Sequence, residues 1–217
     1  MRRALTSALL LLAAVPAAAG TVQGRLEVAE KGGKAAKDVA DAVVWVEGPN
    51  VKPRPSSDTI TMKGKTFVPR VAVVPVGGSV EFPNMDPVFH NVFSVSGENR
   101  FDLDLYKKPK SRAFTFQHPG LVRVYCNIHP QMSAFVLVRD NPFWARVGAD
   151  GRFVIENVPA GSWTVRAWHE RGGEASSPVT VGEEQPAEVS LSLDASRYKR
   201  ALHKNKFGKN YEAAEKY

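Results

Sequence analysis

The stretch Val122-Arg-Val-Tyr-Cys-Asn-Ile-His-Pro-Gln-Met132 changes character halfway along. Val122, Val124 and Cys126 alternate with Arg123 and Tyr125, the period of a strand with one buried face, so the Cys126 sulfur points to the same interior side as the two valines. Asn127 and Pro130 then suit a tight loop. That loop returns His129 and Met132 toward Cys126. About 35 residues earlier the chain reads Asn84-Met-Asp-Pro-Val-Phe-His-Asn-Val-Phe93, which brings His90 from a separate strand end.

Two imidazoles, a thiolate and a thioether therefore occur once each, in the order His90, then Cys126-x-x-His129-x-x-Met132. A redox copper site takes two imidazoles and a thiolate in a roughly trigonal set, with a weak, longer thioether on its axis. Taken one at a time, the bland readings stand: a lone cysteine is usually a small buried hydrophobe, Met132 fits a core, and either histidine fits a structural hydrogen bond. Taken together, His90, Cys126, His129 and Met132 are candidate ligands of one copper ion cycling between Cu(II) and Cu(I).

Outward from this pair of segments, the period of two continues through most of the chain. It recurs in Leu26 and Val28, Val71 and Val73, Val80 and Phe82, Phe101 to Leu105, Phe114 and Phe116, Phe153 and Ile155, and Val189 to Leu193. Pro119-Gly120, Asp150-Gly151 and Pro159-Ala160-Gly161 supply turns. Many short strands without a long helical pattern predict an all-β protein built of sandwiches. Proline and serine over 49–59 read as a linker, and a second boundary is expected near Asp140-Asn-Pro142. The four tryptophans, Trp45, Trp144, Trp163 and Trp168, are expected mainly in packing.

From Phe67 to Val138 the chain resembles a cupredoxin of the plastocyanin and amicyanin group. The short Cys126-x-x-His129-x-x-Met132 loop is most similar to amicyanin, and Val76-Gly-Gly-Ser-Val-Glu-Phe-Pro-Asn84 matches the strand before the first ligand. The resemblance implies a Greek-key sandwich over 60–139 whose copper ligands are His90, Cys126, His129 and Met132. It further implies that Asn91 hydrogen-bonds across to the cysteine loop and fixes ligand orientation. Tyr125 is read as packing or as a route for electrons, and Met85, Phe89 and Pro130 as packing or a docking face near His129. The flanks, 20–48 and 140–194, resemble the carboxypeptidase regulatory-like, transthyretin-like sandwich, through Asp41-Ala-Val-Val-Trp-Val-Glu-Gly48 and Ala149-Asp-Gly-Arg-Phe-Val-Ile-Glu-Asn-Val-Pro159. The expectation is a sandwich opened by, or following, the copper domain. From Gly20 onward the chain resembles bacterial plastocyanin-like proteins labelled methylamine-utilisation proteins.

The two ends carry different messages. Met1-Arg-Arg, an apolar run from Ala4 to Val15, then Pro16 and Ala17-Ala-Ala19 read as a secretory signal over 1–19, with periplasmic export. A transmembrane segment is not expected, because a span needs about 20 uninterrupted apolar residues. Over 195–217 the basic residues Arg197, Lys199, Arg200, Lys204, Lys206, Lys209 and Lys216 face only Glu212 and Glu215. This basic tail is expected to be a solvated end, or else to dock on an acidic partner or anionic surface. Nucleic acid is not an expected partner, since no reading motif accompanies the charge. His118, His169 and His203 have no second ligand at useful spacing and are read as structural or solvated.

Four protein donors leave no open position for a substrate, so no enzyme activity is expected at this metal. One cysteine cannot bridge a binuclear centre, no His-x-His pair serves further coppers, and cleavage would expose Gly20 where a copper monooxygenase needs histidine. The expectation is a one-electron carrier with a redox protein as donor and another as acceptor. A periplasmic copper delivery protein and a cupredoxin-fold binding module are the alternatives.

Overall fold

The structure is a computed structural model that describes residues 19–211. The signal expected over 1–19 thus lies outside the described residues, apart from Ala19. Among the described residues the chain is all-β, with seventeen strands and a single 3-10 turn, Val39–Asp41. None of its helices is long and apolar enough to cross a membrane.

The first strand, Ala19–Ala29, pairs antiparallel with Arg152–Pro159 and parallel with Ala187–Asp194. Opposite it, Val43–Glu47 lies between Trp144–Arg146 and Gly161–His169, and Gly173–Val181 completes that sheet. The segments on either side of the central region thus share two sheets around one core, which includes Val22, Leu26, Val44, Phe153, Val165 and Leu191. The backbones of the first sheet run so close that a Cβ on Gly24 would lie 1.7 Å from the Val189 carbonyl oxygen. Only glycine fits there.

Residues 57–139 form a second sandwich. One sheet orders Ser111–Thr115, Ser79–Pro83 and Ser57–Thr59, and the other orders Val71–Pro75, Ser133–Arg139, Gly120–Tyr125, His90–Ser94 and Phe101–Tyr106. Ser57–Thr59, at the end of the stretch read as linker, is therefore an edge strand paired in parallel with Ser79–Glu81. Strand alternation explains the core: Val80, Phe82, Val122, Val124 and Cys126 all face inward among Phe116, Met132 and Val136.

A seam joins the two sandwiches. Val43, Trp45 and Trp168 pack on Val71, Val73, Phe135 and Leu137. Burial of one such side chain contributes about 1.5–3 kcal/mol, so the seam outweighs any single polar contact beside it. The Arg139 guanidinium stacks 4.5 Å over the Trp45 ring.

This framework gathers the chemistry at one end of the five-stranded sheet. Tyr125 pairs with Ser133, so residues 126–132 are the loop of a hairpin. Tyr125 also pairs with Phe93 on its other side, which sets the start of the His90–Ser94 strand beside that loop.

Candidate metal centre

Three donor atoms converge at this sheet end. The Nδ1 atoms of His90 and His129 are 3.1 Å apart, and Cys126 Sγ lies 3.9 Å from the first and 3.5 Å from the second. A triangle with these sides has its centre about 2 Å from each corner, within reach of metal bonds of about 2.0–2.3 Å to imidazole nitrogen and thiolate sulfur. His90 and Cys126 are fully buried, and His129 is partly exposed. Met132 is buried in the adjoining core; its amide donates to the His129 carbonyl at 3.0 Å and its carbonyl accepts from the Cys126 amide.

The surroundings prepare each donor for a cation. His90 sets its Nε2 2.8 Å from Asp86 Oδ2. An ionised carboxylate there accepts a hydrogen bond from the Nε2 N–H and leaves the Nδ1 lone pair for the centre. Asp86 is itself held by the amides of Gly64 and Lys65, at 2.7 and 2.8 Å, and its own amide donates to Asn84 Oδ1 at 2.8 Å. The buried Asn84 in turn donates to the Tyr106 carbonyl, fixing the whole turn before His90.

Burial opposes ionisation of Asp86, but the Lys65 amide, the His90 ring and the Gly64 amide outweigh it and hold the carboxyl below its usual range. Burial pushes the Cys126 thiol up, against the pull of amides from Asn91, Ile128 and His129 that point at the sulfur. A thiol that is costly to ionise alone, yet already faces three N–H donors, suits a thiolate neutralised by a metal ion. Burial, then the nearby His90, lowers the His129 pKa, which favours the neutral imidazole that a metal needs. Thiolate, two imidazoles and a thioether fit one copper ion better than a hard, oxygen-seeking cation.

No protein-family model matches the sequence, and no curated protein matches it significantly. Solved structures of copper proteins do share part of it. The copper-containing nitrite reductase of Thermus scotoductus SA-01 is 28% identical over 43% of this chain, with a TM-score of 0.36, and this chain spans only 24% of that protein. A purple cupredoxin from Nitrosopumilus maritimus is 22% identical over 38% of this chain and 99% of its own length, with a TM-score of 0.34. A reduced amicyanin variant is 26% identical over 38% of this chain and 82% of its own, with a TM-score of 0.35. The centre described above stands on its own geometry.

Two expectations change. The Asn91 side chain does not bond across to the cysteine loop. Instead its Nδ2 donates to Asp102 Oδ1 at 2.7 Å, and its backbone amide faces Cys126. The reason is local: the bulge between Asn91 and Phe93 aims the side chain at the neighbouring strand that carries Asp102.

The second correction concerns the basic tail: residues 195–211 keep most side chains exposed but lie along the protein and bond to it, where a free solvated end was expected. Lys206 Nζ pairs with Asp102 at 2.5 Å, Arg200 donates to the Gln131 carbonyl at 2.8 Å, and the Tyr211 hydroxyl donates to the Cys126 carbonyl at 3.0 Å. His203, read as structural or solvated, stacks on Tyr125 at 4.3 Å. The rings that the segment partly buries are those of His203 and Tyr211, whereas Phe207 is 73% exposed. His203 and Tyr211 were the sequence signal, outshone by the charge.

The other candidates fall where their residue types suggest. Met85 and Phe89 are each 49% exposed, and Pro130 is partly buried. His118 faces Glu98 at the surface, whereas His169 is buried against Asp38 in the flanking sandwich. Sequence reasoning singles out neither Asp86 nor Asn84, although Asp86 stands only four positions before His90.

Proposed function

We propose that this chain is an exported, periplasmic type 1 copper protein that carries single electrons between two redox proteins, with His90, Cys126, His129 and Met132 holding the ion. The observation that carries the reading is the triangle of His90 Nδ1, Cys126 Sγ and His129 Nδ1, with Asp86 behind His90 and three backbone amides facing the sulfur. Copper bound there supplies one-electron exchange between Cu(II) and Cu(I). The protein's own part is to keep the donors fixed: Asp86 orients His90, the loop hairpin places Cys126 and His129, and the core around Met132 excludes water.

Burial supports retention of the ion over delivery. A delivery protein must offer its ligands to a recipient, and here His90 and Cys126 are fully buried. His129 is the partly exposed ligand of the three, and it is therefore the natural approach for a partner. The same reading takes 1–19 as the export signal. It takes 20–48 and 140–194 as one transthyretin-like sandwich interrupted by the copper domain, which the shared sheets of those segments support.

The test is a visible spectrum of the mature protein with Cu(II), beside the variant Cys126→Ser. An intense thiolate-to-copper band, bleached by ascorbate and missing from the variant, is expected. A colourless protein that still binds Cu(I) would favour the delivery reading, and one that binds no copper the binding-module reading.

A further inference from the structure

The segment 196–211 reaches the ligand loop from the far end of the chain. Its contacts fall on the backbone and side chains of the loop itself. Tyr211 Oη donates to the Cys126 carbonyl, the Lys206 amide donates to Asn127 Oδ1 at 2.9 Å, and Arg200 donates to the Gln131 carbonyl. Loop carbonyls that would otherwise turn to water therefore have protein partners.

The segment is pinned on both sides of these contacts. Upstream, the Tyr198 hydroxyl donates to Glu170 at 2.9 Å, and Glu170 pairs with Arg70 across the seam between the sandwiches. In the middle, Lys206 Nζ meets Asp102, which also receives the Asn91 side chain; Asn91 is the residue whose amide faces the Cys126 sulfur. Burial between Tyr125, Phe93 and Tyr211 covers the His203 ring, which stacks on Tyr125 at 4.3 Å and meets Tyr211 edge-on at 5.4 Å. The Tyr125 flank of the centre is thereby covered in part by the chain's own tail.

We propose that residues 196–211 form a strap belonging to the metal centre, in which Tyr211, Lys206 and Arg200 are positioning residues for the Cys126–Met132 loop and His203 packs on its Tyr125 side. The strap holds the loop in its ligand geometry before any ion arrives. By lying over part of the Tyr125 side it also leaves the partly exposed His129 as the route for electron exchange. Only this second statement rests on the function proposed above.

The test uses the full-length, metal-free protein, with hydrogen exchange read at the amides of Ile128, His129 and Met132. Tyr211→Phe removes one loop contact, and Lys206→Ala combined with Tyr211→Phe also removes the tie to Asp102. Leu202→Ala, at a strap side chain that is 66% exposed, is the control. The strap predicts loop exchange at least about fivefold faster in both variants, as loss of a hydrogen bond of this kind implies, with the flanking strands and the control unchanged. Loop exchange equal to wild type overturns the proposal, as does a uniform rise that includes the flanking strands. With copper bound, the same variants should shift the reduction potential, which loss of simple packing far from the ligands would leave alone. A protein that forms no coloured copper complex removes the electron-carrier reading but leaves the exchange result to decide the strap.

Discussion

His90 is held from both sides: its Nε2 meets Asp86 Oδ2 at 2.8 Å while its Nδ1 stands 3.1 Å from the Nδ1 of His129. Such a carboxylate behind a ligating imidazole fixes both its tautomer and its ring plane. An amide in place of the carboxylate would keep the shape but weaken the acceptor. Asp86→Asn should therefore lower copper affinity by about 10–100-fold in a competition titration against a chelator. Equal affinity would show that the protein orients His90 without the carboxylate.

Met132 poses a choice between core and ligand, because it is buried among Phe116, Val124 and Val136 and also follows His129 in the loop. Met132→Leu conserves volume and should cost less than about 1.5 kcal/mol in chemical denaturation. An axial thioether tunes the potential of a copper–thiolate centre, so the same variant should shift the midpoint measured by redox titration. A variant with unchanged potential would leave Met132 a core residue only.

Glu170 ties the sandwiches and the strap together, through Arg70 and the Tyr198 hydroxyl. Burial opposes its ionisation, but the Arg70 hydrogen bond and charge outweigh burial and hold its folded pKa below the ordinary glutamate value. A carboxylate lowered on folding stabilises the fold fully above its unfolded pKa and loses that contribution as pH falls through the folded value. Glu170→Gln should cost about 1–3 kcal/mol at neutral pH, with the gap to wild type closing in acid as pH falls through that lowered pKa. A gap independent of pH would mean that the charge contributes nothing and only the shape matters.

Much of the centre is legible in the sequence because its chemistry is local. Val122, Val124 and Cys126 share a face through strand alternation alone, and His129 and Met132 follow Cys126 within one hairpin loop. The all-β architecture follows from the same alternation. The Asn91 side chain escapes such reading because a bulge, which no period reveals, turns it from the cysteine loop to Asp102. The tail escapes it because net charge says how a segment is solvated on average, not whether His203 and Tyr211 find partners in the fold.

By itself, then, the sequence determined the kind of donors, their order and the strands that present them, since residue type and periodicity act over a few neighbouring positions. Tertiary structure alone decided which groups stand behind those donors. Tyr211 is 85 positions from Cys126, and Lys206 is 104 from Asp102. Contacts at such separations depend on how two sandwiches and a returning strap pack together, which residue type and periodicity over a few neighbouring positions do not encode.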